Sequence, residues 1–210
     1  MATIKYRLAK RPDARQIANL HWESSKKQPS SFMFKLGALF LAKYYRYILD
    51  EKNSVILCAV DENDNLLGFV SGSMDNSERI KTLRNKRFSL LLAAAPQIII
   101  KPKLIKEILS RYYSNSAESD DGYVVQDGPH EDFWAWDASQ KSGNEAILLH
   151  LAWLKMVGLM GTNYVRGETD EQNTLVLKIH KFLGAKIVRE YRTPDNRKRY
   201  IFEYDLKKLS

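Results

Sequence analysis

The sequence predicts a mixed α/β fold: one central sheet, mostly antiparallel, flanked by helices on both faces and carrying a helical insertion. Three observations predict it. Short runs with period-two alternation are interleaved with longer runs of helical period. The second half strings strand–helix–strand units together, which requires crossovers and some parallel pairing. Two strand pairs, at 54–71 and 185–206, are joined by turn residues and read as hairpins.

Each element has its own warrant. Ile4, Tyr6 and Leu8 alternate through 3–9 and give the first strand. Pro12 and Asp13 open a helix with Ile17, Leu20 and His21 on one face. Ser30 or Ser31 caps a longer helix carrying Phe34, Leu36, Leu39, Phe40, Tyr44, Tyr47 and Ile48. Residues 54–60 and 66–71 form a hairpin over the polar loop 61–65. Residues 77–113 read as two helices separated near Pro96 or Pro102, followed by an acidic loop through 114–129.

Residues 132–138 read as a strand. Residues 142–158 form a helix apolar on nearly every side, packed between layers. A strand at 162–169 precedes a helix at 172–183 that ends on Gly184, a natural C-cap. Residues 185–192 and 199–206 close the chain as a hairpin over 193–196.

The chain has 210 residues, 44% of them hydrophobic and 28% charged, which excludes a disordered or fibrous protein. That length suits a single domain spanning 1–210 with an insertion at about 76–128. One cysteine, Cys58, excludes an intramolecular disulfide and a cysteine-built zinc site, and no metal is expected. The N-terminus lacks the apolar core of a signal peptide, and the longest apolar run, 90–100, is too short to span a bilayer, so a cytoplasmic protein is expected.

The net charge of +8 is local. Nine basic residues lie between Arg79 and Arg111 with one acid, Glu107, and this segment accounts for the whole excess. The next stretch is acidic, from Glu118 to Asp137. Nucleic-acid binding is not expected, because no base-stacking pattern accompanies the cations.

The strand at 132–138 runs through Ser139, Gln140, Lys141, Ser142, Gly143 and Asn144 directly into a helix beginning near Glu145. A glycine-containing loop at a helix N-terminus offers free backbone N–H groups and a favourable dipole, and Lys141 adds a cation. Such a loop can hold a pyrophosphate. It can also be a plain turn, capped by Ser142 or Asn144.

The second half resembles the GNAT superfamily of N-acetyltransferases. Gln140, Lys141, Ser142, Gly143 and Asn144 fit its phosphate-loop pattern Gln/Arg-x-x-Gly-x-Gly/Ala, and Glu145 departs from it at the last small position. Asn173, Val176, Ile179, His180, Gly184 and Ala185 keep the spacing of a second family motif, with His180 in place of its Tyr and Ala185 in place of its Phe. The likeness covers roughly 3–73 and 130–206.

The resemblance implies acetyl transfer from acetyl-CoA, as co-substrate, to an amine of a small molecule. It implies that Trp134 through Asp137 bind the pantetheine arm through backbone groups, with Ala135 and Asp137 foremost. Gln140, Lys141, Ser142, Gly143 and Asn144 would hold the pyrophosphate, and Asn173 would contact the cofactor arm. His180 would protonate the departing thiolate if its pKa rises modestly; otherwise it is a half-exposed helix residue. General-base candidates are His130, Glu131, Asp132 and Glu168. Glu131 and Asp132 would face opposite sides of the strand, unless both belong to an acidic surface. His150, inside an apolar helix, reads as a core histidine. A carboxylate of Glu145 turned inward would oppose the pyrophosphate.

Three readings of the basic segment follow: a helical cap with a solvated basic rim, a wall of the acceptor site drawing in an anionic amino sugar, or a surface docking on anionic lipid. The rival for the whole chain is a degenerate GNAT-fold module that binds a partner or a membrane without catalysis.

Overall fold

The computed structural model describes residues 3–26, 32–114, 127–140, 144–193 and 196–208. Its sheet has seven strands: β1 (Lys5–Leu8), β2 (Ser54–Val60), β3 (Leu66–Ser73), β4 (His130–Trp136), β5 (Tyr164–Asp170), β6 (Lys186–Arg192) and β7 (Lys198–Asp205). Their order is β1-β2-β3-β4-β5-β7-β6. Every neighbouring pair is antiparallel except β4 and β5.

Helices cover both faces. On one lie α1 (Ala14–Ser25) and α2 (Phe32–Leu49). On the other lie α6 (Glu145–Leu159) and α7 (Thr174–Phe182). β2 shows why a central strand reads as an unbroken apolar run. Its Val55, Leu57 and Ala59 enter the core under α6, while Ile56, Cys58 and Val60 enter the core under α1 and α2. α6 buries Leu149, His150, Trp153, Leu154 and Val157 at helical spacing. The Trp153 indole N–H donates to Val55 O at 3.0 Å and ties α6 to β2.

The segment 77–113 departs from expectation, with three helices instead of two: α3 (Asn76–Asn85), α4 (Arg87–Ile100) and α5 (Lys103–Ser114). The breaks fall at Lys86 and at Lys101–Pro102, while Pro96 lies inside α4. A proline there removes one helix bond, but Leu90 and Ala94 on the same helix are buried and hold it in place. α2 makes room at Gly37, whose φ of 88° kinks the helix. A Cβ at Gly37 would run into the Gln97 side chain of α4.

Smaller shifts concern boundaries. β4 starts at His130, because His130 and Glu131 pair with β3 on one side and β5 on the other. α6 starts at Glu145. The proposed caps Ser30, Ser31 and Ser142 lie outside the described residues, and Asn144 occupies the N-cap position of α6 without a side-chain capping bond.

Candidate active site

β4 and β5 pair only at His130–Arg166 and Glu131–Gly167 and then separate. The cause is a bulge in β4. Ser71 of β3 faces Phe133 and Gly72 faces Glu131, so Asp132 is an extra residue with no partner on β3. A bulge of this kind bends its strand and re-aims side chains. Beyond it opens a cavity of about 580 Å³, lined by residues 130–135 of β4, Glu168, Thr169 and Asp170 of β5, and Asn173, Val176 and His180. Tyr44, Arg79 and Phe202 also line it.

The bulge divides the two acids as the sequence reading expected, and neither belongs to the protein surface. Asp132 turns toward Arg79 of α3 and bonds it closely. Arg79 also donates to Glu51 at 2.7 Å and to Gly72 O at 2.8 Å, and its side chain is 2% exposed. Glu131 turns toward α6 and accepts from His150 Nε2 at 2.9 Å. Burial is the largest influence on both carboxyls and works against their charge, but Arg79 and His130 together outweigh it at Asp132, and His150 with His180 and His130 together outweigh it at Glu131, so both pKa values fall below the ordinary range.

His130 completes this wall. Its Nδ1–H donates to Asp132 Oδ1 at 3.3 Å, while its buried Nε2 has no hydrogen-bond partner. An ionised carboxylate only accepts, so the neutral ring carries its proton on Nδ1 and a lone pair on Nε2. Burial lowers the pKa of His130, but the bond and charge of Asp132 with the charges of Glu168 and Glu131 together offset this and raise it overall.

His180 differs from both expectations. It is 4% exposed, not half-exposed, and its ring stacks on Phe202 at 3.9 Å between centroids. Its Nδ1 lies 2.7 Å from the Tyr204 hydroxyl. Burial first, and His150 second, lower its pKa despite the opposing charge of Glu131. The imidazole is therefore neutral at neutral pH and not the protonated acid an upward shift would have made. Burial raises the pKa of Tyr204, so that phenol keeps its proton.

The backbone corrects a second expectation. Asp137 N–H donates to Leu67 O at 2.8 Å and its carbonyl accepts from Gln140 N–H at 3.1 Å, so both groups are engaged. Antiparallel ladders alternate. Ala135, two residues away in the same register, therefore also aims its backbone at β3. Trp134 and Trp136 aim theirs at the open side. Asn173 lines the cavity at the N-cap position of α7 and makes no side-chain capping bond. Lys141, Ser142 and Gly143 lie outside the described residues, and Gln140 is exposed beside them. Glu145 is not among the cavity-lining residues, and its charge acts on Tyr6 of β1.

The fold also gathers a group that sequence spacing did not suggest. Glu131, His150 and His180, from three elements, bring one donor atom each within 4.8 Å of one another, a set that could hold a metal ion. His150 is thus more than the core histidine expected of it: one ring nitrogen is bonded to Glu131 and the other has no partner. Arg79 and Tyr204 were missed as site residues. No local signal marks them, since each acts through a residue more than 20 positions away. Of the nine cations that one reading had drawing in an anionic acceptor, Arg79 alone lines the cavity among the described residues, and two carboxylates neutralise it.

No protein-family model matches the sequence, and no curated protein matches it. Solved structures do. An N-acetyltransferase from Staphylococcus aureus Mu50 superposes with a TM-score of 0.60 at 14% identity, covering 98% of this chain and 99% of that one. A protein assigned to the GNAT family of acetyltransferases from Desulfovibrio desulfuricans gives 0.60 at 10% identity, over 97% and 99%. Arabidopsis thaliana NAA60 in complex with acetyl-CoA gives 0.57 at 14% identity, over 96% and 98%. At these identities the likeness is one of architecture. The chain has the GNAT fold: a seven-stranded, mostly antiparallel sheet between helices, opened between its two parallel strands.

Proposed function

We propose that this chain is an acetyl-CoA-dependent N-acetyltransferase acting on the primary amine of a small molecule. The observation that carries the reading is the opening between β4 and β5, with the unpartnered Nε2 of His130 at its wall. The fold it shares with acetyltransferases, one of them bound to acetyl-CoA, supports the same reading. The chain is read as one domain over 1–210 with 76–128 as a helical insertion, working in the cytoplasm.

The residues present suit the co-substrate. Trp134 and Trp136 offer backbone groups that no strand occupies, matching the amides of a pantetheine arm. Gln140 through Asn144, with Lys141, lead into the α6 N-terminus, where free N–H groups and the dipole favour a pyrophosphate. Asn173, which lines the cavity, would contact the arm. Bound acetyl-CoA supplies a thioester-activated acetyl group.

His130 Nε2 takes the proton that the attacking amine must lose. Asp132 fixes the tautomer and position of that ring, and Arg79 fixes Asp132, so both are positioning residues. Across the cavity, the Tyr204 hydroxyl donates to His180 Nδ1 and leaves the proton of the neutral ring on Nε2. From there it would hydrogen-bond the departing thiolate, which leaves as the anion while the amine's proton rests on His130. Glu131 sets the negative potential beside His180. A neutral or cationic amine suits a wall whose one insertion-derived cation is already paired.

Isothermal titration with CoA, followed by thiol release from acetyl-CoA across a panel of amines, tests this. Binding together with amine-dependent release is expected. Absence of binding at millimolar CoA overturns the proposal and leaves a catalytically inert fold.

A further inference from the structure

α4 is apolar on two opposite sides. Leu90 and Ala94 are buried. Phe88, Leu91, Leu92, Ile99 and Ile100 are 41–78% exposed. At ~100° per residue these five fall in one arc of the helix, centred opposite the buried pair. No charged residue interrupts them. Ile105 and Leu109, one turn apart on α5, add two more exposed apolar side chains. A helix apolar all round is normally buried, and a contiguous exposed apolar surface marks a contact surface.

Cations frame the stripe. Arg84, Lys86 and Arg87 precede it, Lys101, Lys103 and Lys106 follow it, and all six are exposed. No acid occurs from Arg79 to Lys106, and Glu107 beyond them is bonded to Lys35 at 2.8 Å.

We propose that α4 and the start of α5 form a docking surface for an anionic lipid bilayer, with the apolar stripe in the interfacial layer and the flanking cations on the headgroups. This is the geometry of an interfacial basic amphipathic helix. No helix among the described residues is long and apolar enough to cross a membrane. α4, at 14 residues, extends only about 21 Å at 1.5 Å per residue. A second copy of the chain is the poorer occupant, because a two-fold contact would set the same cations against one another. α3, which leads into α4, lines the cavity with Arg79, Ile80 and Leu83, so the docked face would adjoin the site.

Flotation with phosphatidylcholine vesicles, with and without about 30% phosphatidylserine, tests the surface. The protein is expected to float with the anionic vesicles at least about tenfold more than with the neutral ones, and to be released at ~1 M salt, where screening falls to ~3 Å. Two exposed double substitutions, Leu92→Glu with Ile99→Glu and Lys101→Glu with Lys103→Glu, should each lower partitioning about tenfold or more without moving the melting temperature. Failure of the wild-type protein to bind anionic vesicles overturns the proposal. So does flotation that neither double variant reduces, or a sedimentation-equilibrium dimer that the Leu92/Ile99 variant dissolves.

Discussion

β4 and α4 break the same rule in opposite directions. β4 places His130, Glu131 and Asp132 in the interior, and α4 places Phe88, Leu91, Leu92, Ile99 and Ile100 on the exterior. The difference lies in compensation. Each buried carboxylate of β4 has a cationic or imidazole partner, because an unpaired buried charge costs several kcal/mol. The exposed stripe of α4 costs little during folding and needs no partner within the chain. Interior inversion is thus constrained by stability, whereas exterior inversion is left free by the fold.

The largest expected effect breaks the interior side of this comparison. His130→Gln should lower kcat by about 10²–10⁴ while leaving CoA affinity near wild type, because it removes the proton acceptor and keeps a polar group of similar reach. A kcat within threefold of wild type would exclude His130 as the base. The wild-type rate should also rise with pH through a value above the ordinary histidine pKa of ~6.5, since the ring must be neutral to act and Asp132 raises its pKa.

Arg79→Ala should destabilise the fold by about 3–5 kcal/mol in urea unfolding, because it takes the guanidinium from two largely buried carboxylates, Glu51 and Asp132, and leaves Asp132 only its long bond to His130. A loss below ~1 kcal/mol would show that water, and not Arg79, compensates the cluster.

His21 offers a third test, of a buried group with no charged partner. Its Nδ1 lies 2.7 Å from the Tyr45 hydroxyl, and burial pushes its pKa down to about 4. The folded pKa is depressed, so the unfolded chain takes up the proton first. The associated stability is complete above ~6.5 and is lost as pH falls toward about 4, a change of about 3 kcal/mol. His21→Gln should flatten that part of the stability–pH curve relative to wild type, and parallel curves would refute the assignment.

The smallest effect belongs to the exterior. Leu92→Gln, at a position 76% exposed, should change stability by no more than ~0.5 kcal/mol. A clearly larger loss in urea unfolding would mean that the stripe is packed within the chain, and the contrast with β4 would disappear.

Much of the fold was legible because the period and the turn chemistry agreed. The run Val55–Val60 declared a strand, which the structure covers on both faces, and Gly184 declared the end of α7. Of the two prolines offered as the break, Pro102 marks one and Pro96 does not, because packing of Leu90 and Ala94 holds the helix through it, and the break at Lys86 carried no turn signal. In the site, motif spacing singled out His180 and position at the start of the strand singled out Glu131 and Asp132, and all three line the cavity. Their states were not. The pKa of His180 depends on burial and on His150, and the backbone groups offered to a ligand depend on a ladder register that shifts at Asp132.

By itself the sequence determined where the apolar faces lie, where the chain turns and where the excess charge is concentrated, since these follow from residue types a few positions apart. Only the tertiary structure decided which charged and polar groups meet. Arg79 reaches Asp132 across 53 positions and His180 reaches Tyr204 across 24. Electrostatic interactions act through space, at separations of a few ångströms, and the chain order of the groups does not enter them.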